Sequence, residues 1–166
     1  MGFLQSVAAV SARDAWAVGR AGAEGCGCAK PLIVHWDGAA WSRVPSPTPA
    51  GGVGTLSAVA FTAARDGWAV GTAGDRPLIL RWDGAQWHRV ASPTPPGGGI
   101  LNGVAAASAT SAWAVGSARG ASGLSHDEVA AALNVPAGTI ASRLARARRK
   151  LRSALGGGNP VQARED

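Results

Sequence analysis

Tyrosine is absent from this 166-residue chain, phenylalanine occurs twice and methionine once, so the aromatic surface rests on seven tryptophans. Cysteine is confined to Cys26 and Cys28, too few for the disulfide framework of a small secreted domain. No apolar run approaches the roughly 18 residues that suggest a membrane-spanning helix, so no transmembrane helix and no membrane partner are expected. The opening MGFLQSVAAV has no charged stretch ahead of an apolar one, so no signal peptide is expected. Gly2 and Ser6 fit the acylation pattern M-G-x-x-x-S, but the intervening Leu4 belongs to a repeat, which accounts for it.

Catalytic constellations are missing too. No carboxylate pair, no Ser-His-Asp order and no phosphate-binding glycine loop stands out, so the expectation is a non-enzyme without cofactor. Cys26-x-Cys28 would need more ligands to hold a metal, and His35 is the one nearby candidate. The segment therefore reads as an inserted loop with two free thiols, and no metal site is expected. His35 and His88 fall in different strands of different repeat copies and read as incidental.

What the chain has in quantity is glycine (24), proline (10) and positive charge (net +6). High Trp with high Gly favours a repeated β-motif over a helical bundle. The repeats are explicit. Leu4-x-x-Val7 with Asp14-Ala-Trp16-Ala-Val-Gly19 recurs as Leu56-x-x-Val59 with Asp66-Gly-Trp68-Ala-Val-Gly71. It recurs again as Leu101-x-x-Val104 with Ser111-Ala-Trp113-Ala-Val-Gly116. The first two copies continue through Pro31 to Trp36 and Pro77 to Trp82, then Asp37-Gly38 and Asp83-Gly84, then Trp41 and Trp87.

Each full copy reads as four short strands, with alternation in Leu56–Phe61 and hairpin signals at the Asp-Gly pairs. Four strands in about 45 residues is the size of one propeller blade. With DAWAVG and WDG as signatures, the segment resembles Trp-rich bacterial β-propeller repeats. The third copy stops at Gly116, leaving about two and a half blades where a propeller takes about four to eight. Open strand edges would then invite self-association.

The segment Leu124–Leu155, LSHDEVAAALNVPAGTIASRLARARRKLRSAL, has a different grammar. Ser125-x-x-Glu128 is a capping box, and Leu124 with Val129 can form the hydrophobic staple. A first helix is predicted to run through Val129, Ala130 and Leu133 and to stop at Asn134. Pro136 is placed to open a second. On that second helix Ile140, Leu144, Ala147 and Leu151 form an apolar stripe, with Ser142, Arg146 and Arg149 opposite. A short capped helix, a tight turn and a basic helix is the spacing of a helix-turn-helix. Charge agrees. Residues 1–120 and 121–166 each carry net +3, the latter over far fewer positions, as suits an acidic polymer partner.

On these residues the segment resembles region four of bacterial RNA polymerase sigma factors of the extracytoplasmic-function class. The likeness rests on Leu124-Ser125, Glu128-Val129-Ala130, Leu133, Val135-Pro136, Gly138-Thr139-Ile140, Ser142-Arg143-Leu144, Arg146-Ala147-Arg148 and Leu151. The resemblance implies sequence-specific binding to the −35 promoter element, with the second helix in the major groove, and a role in transcription initiation. Carried over position by position, Thr139, Ser142, Arg143 and Arg146 would touch double-stranded DNA, with Arg149 and Lys150 nearer the backbone. RNA polymerase is the second partner it implies, and the cytoplasm the location. Where the family usually has a base this chain has Ala141, and Ser117–Ser122 reads as a linker where the family has a further helix.

The expected fold class is mixed and segregated. Residues 1–116 form incomplete β-propeller blades of antiparallel β-meander, 117–123 a linker, 124–155 an α-helical helix-turn-helix and 156–166 a flexible tail. Such a chain looks like two modules joined inside one of them, as in a recombined or truncated gene product. The competing function is a non-enzymatic β-propeller-type binding or structural fragment whose fused helix-turn-helix is inactive.

Overall fold

In the computed structural model, the structure describes residues 2–22, 27–47, 49, 51–119 and 126–134, the last span and Arg119 by backbone alone. Among the described residues eleven strands form three antiparallel sheets. The first holds β1 (Gly2–Ser11), β2 (Asp14–Ala21), β3 (Lys30–Trp36) and β4 (Trp41–Val44). The second holds β5 (Thr55–Ala63), β6 (Asp66–Ala73), β7 (Arg76–Trp82) and β8 (Trp87–Val90). Both are meanders with strands adjacent in chain order. The third holds β9 (Gly99–Ser108), β10 (Ser111–Arg119) and β11 (His126–Asn134), with β10 in the middle.

Alternation along each second strand divides its side chains between two faces. Trp16 and Val18 of β2 point at the second sheet, joining Leu56, Val59, Leu78, Leu80, Trp82 and Trp87 in one core. Trp68 and Val70 of β6 point the other way and build a second core with Leu101, Ala112 and Ala114. The second sheet is thus buried on both faces. A buried Trp removes about 150–250 Å² from water, worth about 4–6 kcal/mol of transfer free energy at 25 cal/mol/Å².

The glycine that closes each AVG run has a steric cause. β1 and β5 bulge between Leu4 and Ser6 and between Leu56 and Ala58. The bulge pushes a carbonyl against the facing glycine, so a Cβ on Gly19 would sit 1.9 Å from the Phe3 oxygen. On Gly71 it would sit 2.0 Å from the Thr55 oxygen, and on Gly116 2.0 Å from the Ile100 oxygen. Backbone hydrogen bonds tie successive sheets together in the same way twice, Gly54 N–H to the Ala29 carbonyl (2.7 Å) and Gly99 N–H to the Asp75 carbonyl (2.8 Å).

The Asp-Gly turns are held by their own side chains. Asp83 Oδ1 accepts from the Ala85 and Gln86 amides at 2.8 Å each, and Asp37 Oδ1 from Ala39 and Ala40 at 2.8 and 2.9 Å. Gly38 and Gly84 follow at φ 95°, the left-handed region that glycine supplies at least cost. Those amides hold the Asp83 carboxyl well below its ordinary 3.8, with His88 adding to the effect, and they lower Asp37 likewise.

One expectation about the fold is corrected by the structure. Residues 126–134, expected as the first helix of a helix-turn-helix, form strand β11, and no helix occurs among the described residues. β11 pairs with β10 from Ser111↔Asn134 to Arg119↔His126 without a break. The reason is the vacant edge of β10, whose N–H and C=O groups need partners. A nine-residue helix standing alone is marginal in water, so a full ladder outweighs the helix preference of Ala130, Ala131 and Ala132. The propeller part gains no support: the described residues form three antiparallel sheets in series, where a closed ring takes roughly four to eight. The expected second helix lies outside the described residues. The chain divides into two compact units, Met1–Asn134 and Val135–Asp166.

Gly71→Ala should destabilise the folded chain by about 1–3 kcal/mol, because its methyl must displace a backbone carbonyl in a packed sheet. Urea unfolding at constant m-value measures it, and a change below about 0.5 kcal/mol would show that the bulge relaxes freely. The Asp83 turn stabilises most above the carboxyl's unfolded value, and its contribution is lost as pH falls through the depressed folded value. Asp83→Ala should therefore lower the urea midpoint at pH 7 and flatten its fall below about pH 4. An unchanged acid limb would remove Asp83 from the acid response.

Candidate nucleic-acid interface

All six residues expected to meet DNA, Thr139, Ser142, Arg143, Arg146, Arg149 and Lys150, lie outside the described residues. The described geometry belongs to the sheets, where several basic and titratable groups have structural partners.

Two of them brace strand pairs. His35 Nε2 lies 2.9 Å from Asp14 Oδ1, and the same oxygen accepts from Trp16 Nε1 at 3.1 Å. The His35 ring also rests on Trp16, with centroids 4.2 Å apart. The corresponding place in the second copy holds Asp66 and Arg81, 3.9 Å apart, with the Arg81 guanidinium 6.0 Å above the Trp68 ring. An acid at the head of the second strand thus meets a base on the third in both copies. His88 bonds Asp83 at the second Asp-Gly turn. Both histidines have structural partners, so neither is incidental. The signal was present in the sequence: D-x-W is followed in each copy by a base immediately before the next tryptophan, His35 before Trp36 and Arg81 before Trp82.

Arg76 and Arg89 escaped the sequence reading. They line an open cleft of about 420 Å³ with Pro77, Ala91, Ser92 and Thr94. Lys30 and Arg43 stand at the matching positions of the first copy, so the recurrence of two bases per repeat could have marked the pair. No carboxylate lines this cleft, so a single anionic group would meet two guanidiniums there. The lining is shallow and mostly exposed, which gives it little power to desolvate and select a ligand.

Among the described residues no group of three or more His, Cys, Asp and Glu is arranged to hold a metal ion. Cys28 is disulfide-bonded, which corrects the expectation of a free thiol at that position. Cys26 lies outside the described residues. No described helix is long and apolar enough to cross a membrane.

Residues 118–151 match the family model of sigma-70, region 4. That is 34 of 166 residues, about a fifth of the chain. The match opens in the last residues of β10, takes in the whole of β11 and continues through all six expected contact positions. It supports the region-four part of the resemblance, and neither the extracytoplasmic-function class nor the propeller part gains support. No curated protein matches the chain.

Proposed function

We propose that the chain binds promoter DNA in the manner of a sigma factor, reading the −35 element through Thr139, Ser142, Arg143 and Arg146 and holding phosphates through Arg149 and Lys150. The observation that carries this reading is the family match over 118–151. Charge supports it. Between Val129 and Ala163 there are six bases and no acid, so nothing within the segment neutralises a field that favours a polyanion. Arginines suit both tasks, because a guanidinium can grip guanine O6 and N7 in the major groove or a phosphate with two parallel bonds. Hydroxyls at Thr139 and Ser142 add short donors and acceptors that select among base edges.

RNA polymerase is the partner that would turn such binding into initiation, and the cytoplasm the place for it. In that reducing compartment the Cys28 disulfide would be transient. The chain is read as a non-enzyme, since DNA recognition asks only for binding. A second reading places the working surface on the sheets, and the exposed tryptophans Trp41 and Trp113 favour it. The two readings separate by which residues carry the affinity.

If four or five phosphates are neutralised, affinity for a promoter duplex should fall about 10²- to 10³-fold between 50 and 200 mM salt. Arg146→Ala should cost about 1–3 kcal/mol at a base-contacting position and relax sequence preference there. Fluorescence anisotropy with labelled duplexes reads both. Absence of binding at 50 mM salt, or affinity indifferent to Arg146, would overturn the proposal.

A further inference from the structure

The two sheet-to-sheet interfaces inside the chain follow one recipe. A Trp and a Val on the second strand of one sheet press onto the first strand of the next and onto strands beyond it. Trp16 and Val18 meet Leu56, Val59 and Trp87, while Trp68 and Val70 meet Leu101, Ala112 and Ala114. The series therefore has two unlike ends. One is the outer face of the first sheet, which presents the positions that receive a Trp-Val pair. The other is the outer face of the third sheet, which presents the pair itself.

Both end faces carry exposed large apolar side chains among the described residues. Trp41 is 50 % exposed where its counterpart Trp87 is 4 %, and Leu4 is 55 % exposed where Leu56 is 0 %. Val7 is exposed where Val59 is buried. At the opposite end Trp113 is 57 % exposed where Trp68 is 1 %, and Val115 is exposed where Val70 is buried. Pleat explains the direction. Ala112 and Ala114 face the second sheet, so Trp113 and Val115 must point away from it.

We infer that a second copy of this chain docks head to tail on the first, with Trp113 and Val115 of one copy entering the face formed by Leu4, Val7 and Trp41 of the other. The argument is continuity. The chain already contains this contact twice, and its exposed ends are the two unmatched halves of the same contact. Apolar side chains this large, gathered on one face, mark an interaction surface rather than scatter. The contact is heterologous, because the two surfaces differ, so each copy carries one of each. It uses sheet faces and not the strand edges named in the sequence reading.

That asymmetry gives a test independent of DNA binding. In sedimentation equilibrium the full chain should show a mass that rises with concentration to a dimer or larger. Val7→Lys and Trp113→Lys should each weaken self-association about tenfold or more, the scale of losing a central contact residue. Both substitutions sit on exposed positions, and circular dichroism checks that the sheets persist. Mixing the two variants should then restore a species of two chains, because one retains an intact tail face and the other an intact head face. A full chain that stays monomeric at all concentrations overturns the inference, and the exposed faces are then covered by something other than a second copy. So does a mixture that stays monomeric, or association lost with Trp113→Lys alone and untouched by Val7→Lys, which would indicate a symmetric contact of tail on tail.

Discussion

One contact sets the terms for the rest of the molecule: a tryptophan on the second strand of the first sheet and of the second, driven into the face of the sheet that follows. Trp16 lies 4.7 Å from Trp82, 5.3 Å from Phe61 and 5.7 Å from Trp87 between ring centroids, tilted or edge-on to Trp82 and Trp87 as aromatic quadrupoles favour. In the receiving sheet Gly71 lies opposite the β5 bulge, where any side chain would strike the Thr55 carbonyl. The tryptophan contact also fixes polarity. Each sheet has a face that gives a ring and a face that takes one, so the sheets stack in a single direction.

Polar groups buried by that stacking follow the same logic. A Trp N–H hidden between sheets costs free energy unless it finds an acceptor, and Trp87 Nε1 is buried without one. Trp68 Nε1 donates to the Ser108 carbonyl and Trp82 Nε1 to the Ala64 carbonyl, both at 3.2 Å, so the hairpin ends of β9–β10 and β5–β6 are tied to the rings. Trp16 instead uses its own strand's Asp14, which is then shared with His35. Turn and core are therefore coupled: a change at the head of a second strand reaches the tryptophan two residues on, and through it the facing sheet.

The repeats made most of this legible. Leu, Trp and Gly recurring at one spacing mark strands whose partners are their own copies, and the Asp-Gly pairs mark the turns between third and fourth strands, at Asp37 and Asp83. The bulges were not legible, because an extra residue in a strand leaves no mark in composition. The acid–base braces were visible only once the two copies were superposed. Residues 126–134 form a strand where the sequence predicts a helix, and the reason is physical. Capping box, staple and apolar spacing are all local signals, and local signals say nothing of an unpaired strand edge waiting nearby. The contact positions proposed for DNA, at residues 139–150, lie outside the described residues and inside the stretch that the family model matches.

The third sheet shows where the two grammars of the chain meet. β11 stands where β3 and β7 stand in the other sheets: Ala132 faces Trp113 as His35 faces Trp16 and Arg81 faces Trp68. Yet the braces are gone. Ser111 replaces the acid of Asp14 and Asp66, and Ala132 replaces the base. Asn134 and Val135 stand in place of the Asp-Gly turn, so no fourth strand is signalled after it. β11 therefore continues the backbone ladder without the acid and base that recur between the second and third strands of the first two sheets. All nine of its residues lie inside the sigma-70 region 4 match, which opens on the last two residues of β10, so the sheet series runs on into a stretch whose sequence no longer repeats its pattern.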